Sequence, residues 1–437
     1  MKLPRLLLLA GIISLVALFA SACGDDDDNG DGDGNGNGDP TDIVDELLTD
    51  FGVSDTEIKL GFTLAQSGNP SAAAYSVIAS AIEASIAKVN AEDGGACNRQ
   101  IRLLVEDDQY DPALVLEQAT KLAVQDEVLG FIGNLGTPAV SGQVDYINDP
   151  NGDGDTSDGI PHLYLSTGAS KWDDPERWPW TIGYIPDYGL EGNILAQTVN
   201  EEFPGESAAI LYQNDDFGEN GRAGFLELFE GDIVAEQSYE AGAAEVTSQL
   251  ANIRDADPGI LYIYALPLTT ASVFRYMAAN DWDPQVVWSY VNPSSLIGAI
   301  LGGEDGPQAG YDQIAGVIST NYILDPLSDT DDPAIIEHLR VMDTYGGPPA
   351  NQLAVYGHSL GDIVIETLNV ACDSGDMTRA GLMAAAESLD GYRSDLLLPG
   401  IDISLSDTDH SAIEALQPVR VAQDGSLEPL GDLIKFD

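Results

Sequence analysis

The chain has 437 residues, of which 73 are acidic and only 17 basic, for a formal net charge of −56 at pH 7. A surface of that sign repels nucleic acid and anionic lipid headgroups, which excludes both as partners. Seven of the acids and two of the bases precede residue 41, so the excess belongs to the rest of the chain; it points to a salty medium in which counterions screen self-repulsion.

In chain order, Lys2 and Arg5 precede an apolar run from Leu6 to Ala20, the layout of an export signal. The run is short for a membrane span, which needs about 20 apolar residues. Ala20-Ser21-Ala22-Cys23 resembles the bacterial lipobox, so residues 1–22 read as a lipoprotein signal peptide and Cys23 as the lipidated first residue of the mature chain. An ordinary signal peptide and an uncleaved anchor helix are the alternatives; all three place the remainder outside the cytoplasm. Gly24 to Pro40 is almost wholly Gly, Asp and Asn, with no apolar side chains to offset its ordering entropy, and residues 23–55 are expected to act as a tether.

From Thr56 onward, short apolar runs alternate with helical patterns, which predicts an α/β fold with mainly parallel sheets. The expected strands are Ile58–Leu64, Ile101–Val105, Val128–Ile132, His162–Ser166, Ala208–Tyr212, Ile260–Tyr264, Gln285–Ser289 and Ala315–Ser319. A helix with Ala74, Ile78, Ile82, Ile86 and Val89 on one face lies between the first two. Further helices are expected at Ala113–Ala123, Leu190–Phe203, Gly221–Phe229, Thr270–Ala279, Pro333–Asp343 and Asn351–Asn369. So long a chain exceeds one core of this kind, and two lobes are expected.

Several fragments carry a family resemblance: Ile58-Lys-Leu-Gly-Phe-Thr-Leu-Ala-Gln-Ser-Gly68, Glu106-Asp-Asp-Gln-Tyr-Asp-Pro112, Ile132-Gly-Asn-Leu-Gly-Thr137, Ser166-Thr-Gly-Ala-Ser170 and Asn214-Asp-Asp-Phe-Gly218. Their order and spacing resemble the leucine/isoleucine/valine-type substrate-binding proteins of ABC transporters. That family implies the type I periplasmic binding protein fold, with two hinged lobes joined by three crossovers. It assigns about 56–186 plus 320–392 to lobe one, and 187–319 plus 393–437 to lobe two. The implied role is capture of an amino acid or a related carboxylate or amide for an ABC permease, with membrane attachment through the lipid; a sensing module for a membrane receptor uses the same fold.

Independently of the resemblance, ligands of open α/β sheets bind beyond the carboxyl ends of the strands. Thr137, Gly168, Ala169 and Ser170 stand there as hydroxyls and backbone N–H groups at helix starts, a set that suits a carboxylate. Read without the resemblance, the same Ser and Thr residues are helix N-caps. The family implies an aromatic wall from Tyr75 and Phe217; ordinary core packing is the alternative. It also implies an acid opposite the ligand ammonium, but Val287-Trp288-Ser289-Tyr290-Val291-Asn292 has none. Either Asp215 or Asp216 substitutes, or the ligand is not an α-amino acid.

Three further features are open. Cys97 and Cys372 are either one disulfide or two buried thiols. Asp149, Asn151, Asp153, Asp155 and Asp158 alternate around glycines like the start of a calcium loop, either holding a structural calcium ion or forming a solvated acidic loop; no cofactor is required. Gly357-His358-Ser359-Leu360-Gly361 matches a serine-hydrolase elbow, and His410 follows in the right order. A helix through Ser359 argues against it, because an elbow needs a strand before the serine.

Overall fold

The computed structural model describes residues 47–243 and 245–436. The expected signal peptide, Cys23 and the tether as far as residue 46 lie outside the described residues. From Leu48 the backbone is already held, because Leu48–Thr49 pairs in parallel with Asp376–Met377.

Two sheets organise the remainder. The first is fully parallel and contains β1 (Glu57–Leu64), β2 (Gln100–Asp107), β3 (Gly130–Ile132), β4 (His162–Leu165) and β5 (Thr181–Gly183), in the order β2-β1-β3-β4-β5. Its central strands are apolar on both faces, since helices cover each side. The second contains β6 (Ala208–Gln213), β7 (Ile233–Tyr239), β8 (Ile260–Tyr264), β9 (Gln285–Trp288), β10 (Ile318–Asn321), β11 (Ala415–Val421) and β12 (Leu427–Pro429), in the order β12-β11-β10-β9-β8-β6-β7, with Ile434–Lys435 pairing to β11. Strands β6 to β10 run parallel, and β11 and β12 close the edge antiparallel.

The chain leaves the first sheet after Gly183, enters the second, returns after Asn321 to supply helices beside the first, and crosses again before Ala415. Among those returning helices, Gln352–Ser374 packs along Val77–Glu92. The helix start after the first crossing and the one after β6 are capped by acids: Asp187 accepts from the Leu190 N–H, and Asp215 from the Gly218 N–H. Such caps satisfy amides that otherwise lack partners and so fix where each helix begins.

Between Val77–Glu92 and Gln352–Ser374 the backbones nearly touch. A Cβ on Gly357 would lie 2.6 Å from the Ile78 carbonyl oxygen, and one on Gly361 2.8 Å from the Ser85 Cβ. The two glycines of the hydrolase-like pentapeptide are therefore helix-packing residues. Ser359 sits mid-helix with no exposed surface, donates to the Tyr356 carbonyl and meets the Tyr184 hydroxyl at 3.0 Å. No strand precedes it, and no substrate can reach it. Cys97 and Cys372 are joined as a disulfide, with Cα atoms 5.6 Å apart, and link the end of the first helical layer to this second helix.

Candidate functional site

Loops from the carboxyl ends of both sheets meet around a cavity of about 80 Å³. Tyr75, Tyr110, Thr137, Ser166, Gln352 and Tyr356 line it from the side of the first sheet; Phe217, Leu266, Tyr290 and Val291 line it from the second, with Tyr188 and Tyr322 beside the crossings. Seven aromatic rings thus line it. Among the described residues, no charged side chain lines it.

The two sides are bonded across the cleft. The Tyr75 hydroxyl donates to the Val291 carbonyl at 2.8 Å, and the Leu268 N–H donates to the Ser71 hydroxyl at 3.0 Å. At another point of the rim Lys171 pairs with Asp216 at 2.6 Å, and the Ser170 N–H donates to Asn220 at 3.2 Å. The arrangement is a closed one.

Of the residues expected to bind ligand, Tyr75, Thr137 and Phe217 come together on the cavity wall. Gly168, Ala169 and Ser170 do not. Gly168 is backed against Pro186, whose carbonyl oxygen would be 2.1 Å from any Cβ there, while Ala169 is buried and Ser170 is exposed at the rim. The donors that should have held an anion are engaged within the protein. The Thr167 hydroxyl is 2.6 Å from the Thr137 hydroxyl and accepts from the Trp172 ring N–H at 3.3 Å, and the Tyr188 phenol oxygen faces Thr167 and the Gly168 N–H. The Tyr188 N–H returns a bond to the Gly168 carbonyl at 2.8 Å. Asp215 is off the wall as well, its carboxylate taken by the Gly218 N–H and the Gln213 amide.

Sequence reading left Tyr110, Tyr188, Tyr290, Tyr322 and Tyr356 unassigned. Two of them carry a positional signal: Tyr290 stands two residues beyond the end of β9 and Tyr322 directly beyond β10. Also unassigned was Glu191, fully buried behind this wall. Its two oxygens accept from the Tyr264 hydroxyl, the Ser289 hydroxyl, the Tyr290 N–H and the Thr320 hydroxyl at 2.6–2.8 Å. Burial pushes the carboxyl up to about 7 despite these four donors. Glu191 clamps the helix Tyr188–Glu202 to the loops after β9 and within β10, and so holds Tyr290 in the wall.

The expected calcium loop is not supported. Asp149 accepts from the backbone N–H groups of Gly152, Asp153 and Gly154; Asp153 accepts from Asp155, and Asp155 from Ser157. Asn151 donates to Asp158. The alternating acids thus close the loop's own turns, as Asx residues do. Among the described residues, no group of three or more His, Cys, Asp or Glu side chains converges as a metal site.

A family model described as periplasmic binding protein matches residues 57–426. The chain belongs to the periplasmic binding protein family. No curated protein matches it by sequence. Solved structures match closely in fold. A branched-chain amino acid ABC transporter protein from Thermus thermophilus with bound valine has a TM-score of 0.74 at 16% identity, covering 88% of this chain and 98% of that one. A possible leucine/isoleucine/valine-binding protein from Rhodopirellula baltica has a TM-score of 0.72 at 22% identity, covering 86% and 96%. An ABC transporter solute-binding protein from Rhodopseudomonas palustris in complex with 3,4-dihydroxybenzoic acid has a TM-score of 0.69 at 18% identity, covering 87% and 97%. This periplasmic binding protein therefore has the type I fold, acts outside the cytoplasm in solute binding, and is not an enzyme.

Proposed function

We propose that this binding protein is the lipid-anchored receptor of an ABC importer, held to the membrane through Cys23 and capturing one small organic molecule in the tyrosine-lined cavity. The observation that carries the reading is the cavity itself: loops of both sheets supply its wall, and bonds such as Tyr75 to Val291 span its two sides. A hinge opening at the three crossings would break those bonds and admit the ligand, and closure would remake them and present a joint surface to the permease. The solved relatives that hold valine and 3,4-dihydroxybenzoic acid support small-molecule cargo.

A thermal-shift screen of the purified chain against amino acids, aromatic acids and amides tests capture, since a ligand that binds only the native state raises the melting temperature. A rise with at least one compound is expected. A flat profile across all three classes overturns the reading. Globomycin treatment of cells making the full chain should leave the unprocessed precursor if Cys23 is lipidated; unchanged processing overturns the anchor.

A further inference from the structure

Resting on that reading of the cavity as a capture site, we infer that the ligand is an uncharged molecule: an apolar body within the aromatic wall, with one amide-like polar end that meets the Tyr322 hydroxyl and the Gln352 side-chain oxygen.

The first ground is what the wall lacks. With no charged side chain lining the cavity among the described residues, an ion entering it gives up water and gains no counter-charge. That exchange costs several kcal/mol in a site of this kind. A carboxylate would turn to neutral donors instead, but the Thr167 hydroxyl is taken by Thr137 and Trp172, and Gly168 is backed against Pro186, off the wall. An ammonium would turn to an acid. Glu191 is saturated by four protein donors, and Asp215 is held by Gly218 and Gln213.

The second ground is what the wall leaves free. Tyr75 donates to Val291, Tyr290 to Pro186, and Tyr356 shares a bond with Ser166. The Asn321 amide is used in both senses, accepting from Gln352 and donating to Ile323. The Tyr110 hydroxyl faces the Gln213 side chain and the Tyr188 hydroxyl faces Thr167 and Gly168, whereas among the described residues no polar protein neighbour faces the Tyr322 hydroxyl, which can donate, or the Gln352 Oε1, which can only accept. One neutral donor and one neutral acceptor match the C=O and N–H of a carboxamide. Such a pairing satisfies both sides, and an unpaired polar atom in an enclosed site is costly.

Isothermal titration of the purified chain with two matched series tests this: phenylacetamide, phenylacetate, phenylalanine and phenyltrimethylammonium, then isovaleramide, isovalerate and leucine. The amide is expected to bind at least about tenfold tighter than its charged counterparts in one series or both. A charged member that binds as tightly or more tightly overturns the uncharged-ligand inference while upholding capture. Absence of binding throughout both series, together with a flat thermal-shift screen, overturns capture itself; absence here with a charged hit in that screen overturns only the inference. Tyr322→Phe and Gln352→Met are each expected to weaken amide binding roughly threefold to tenfold, the worth of one neutral hydrogen bond; Tyr322→Phe leaves the melting temperature of the free protein unchanged, whereas Gln352→Met lowers it by removing the bond to Asn321. Unchanged affinity in both variants overturns the assignment of the polar end.

Discussion

His162 opens β4 with its ring fully buried, edge-on to Phe131, and with Nε2 lacking any protein partner. Burial alone holds its pKa down to about 3, against 6.5 for an ordinary histidine. The sign follows from linkage: between those values the unfolded chain binds a proton that the folded one does not, so stability present above pH 6.5 is lost as pH falls. Asp362 and Asp108 act oppositely, because burial pushes both up to about 7 and the fold keeps protons there that the unfolded chain has released. Only a difference between variants isolates His162. His162→Phe is expected to lose about 2 kcal/mol less stability than the native chain between pH 7 and pH 5. Urea denaturation at the two pH values measures it, and equal losses would mean that the ring is not buried neutral.

At the scale of elements, the tight seam between Val77–Glu92 and Gln352–Ser374 sets the position of Tyr356, and through it one wall of the cavity. Gly357→Ala would drive a methyl group against the Ile78 backbone, and backbone cannot rotate aside. A loss of about 1–3 kcal/mol is expected, read as a lower denaturation midpoint with an unchanged urea slope. A neutral effect would contradict the seam. The same helix shows what sequence could disclose. Its apolar spacing exposed it as a helix and so demoted Ser359, but nothing local told that the glycines served packing. The strands that read clearly were continuous apolar runs at sheet centres. Thr181–Gly183 is three residues long; Ile233–Tyr239 alternates exposure at an edge; Ala415–Val421 contains Pro418. None of these shows the unbroken run that marks a buried parallel strand. At the site, Thr137 was expected as a hydroxyl at the helix start that follows β3, and Phe217 through the family resemblance; both stand on the cavity wall. The cradle at 168–170 was misread because its occupant, Tyr188, lies in another element, and contacts between distant segments leave no spacing to count.

For the whole molecule, 73 acids against 17 bases impose self-repulsion that local pairing cannot cancel. The ion pairs that exist, such as Arg420 with Glu202 and Arg340 with Glu337, are largely at the surface, where each is worth little. The core does not compensate through added charge, since its buried residues are overwhelmingly aliphatic and aromatic. Dissolved salt is therefore the remaining source of relief. Raising sodium chloride from 0.1 M to 1 M shortens the screening length from about 10 Å to about 3 Å. The melting temperature is expected to climb by about 5 °C or more over that range, the response to a few kcal/mol of relieved repulsion. Because carboxylates supply the repulsion, the climb should shrink at pH 4.5, where many of the exposed ones are protonated. A salt response that is flat at pH 7, or equally steep at both pH values, would assign the effect to apolar burial instead, which salt strengthens without regard to carboxylate charge.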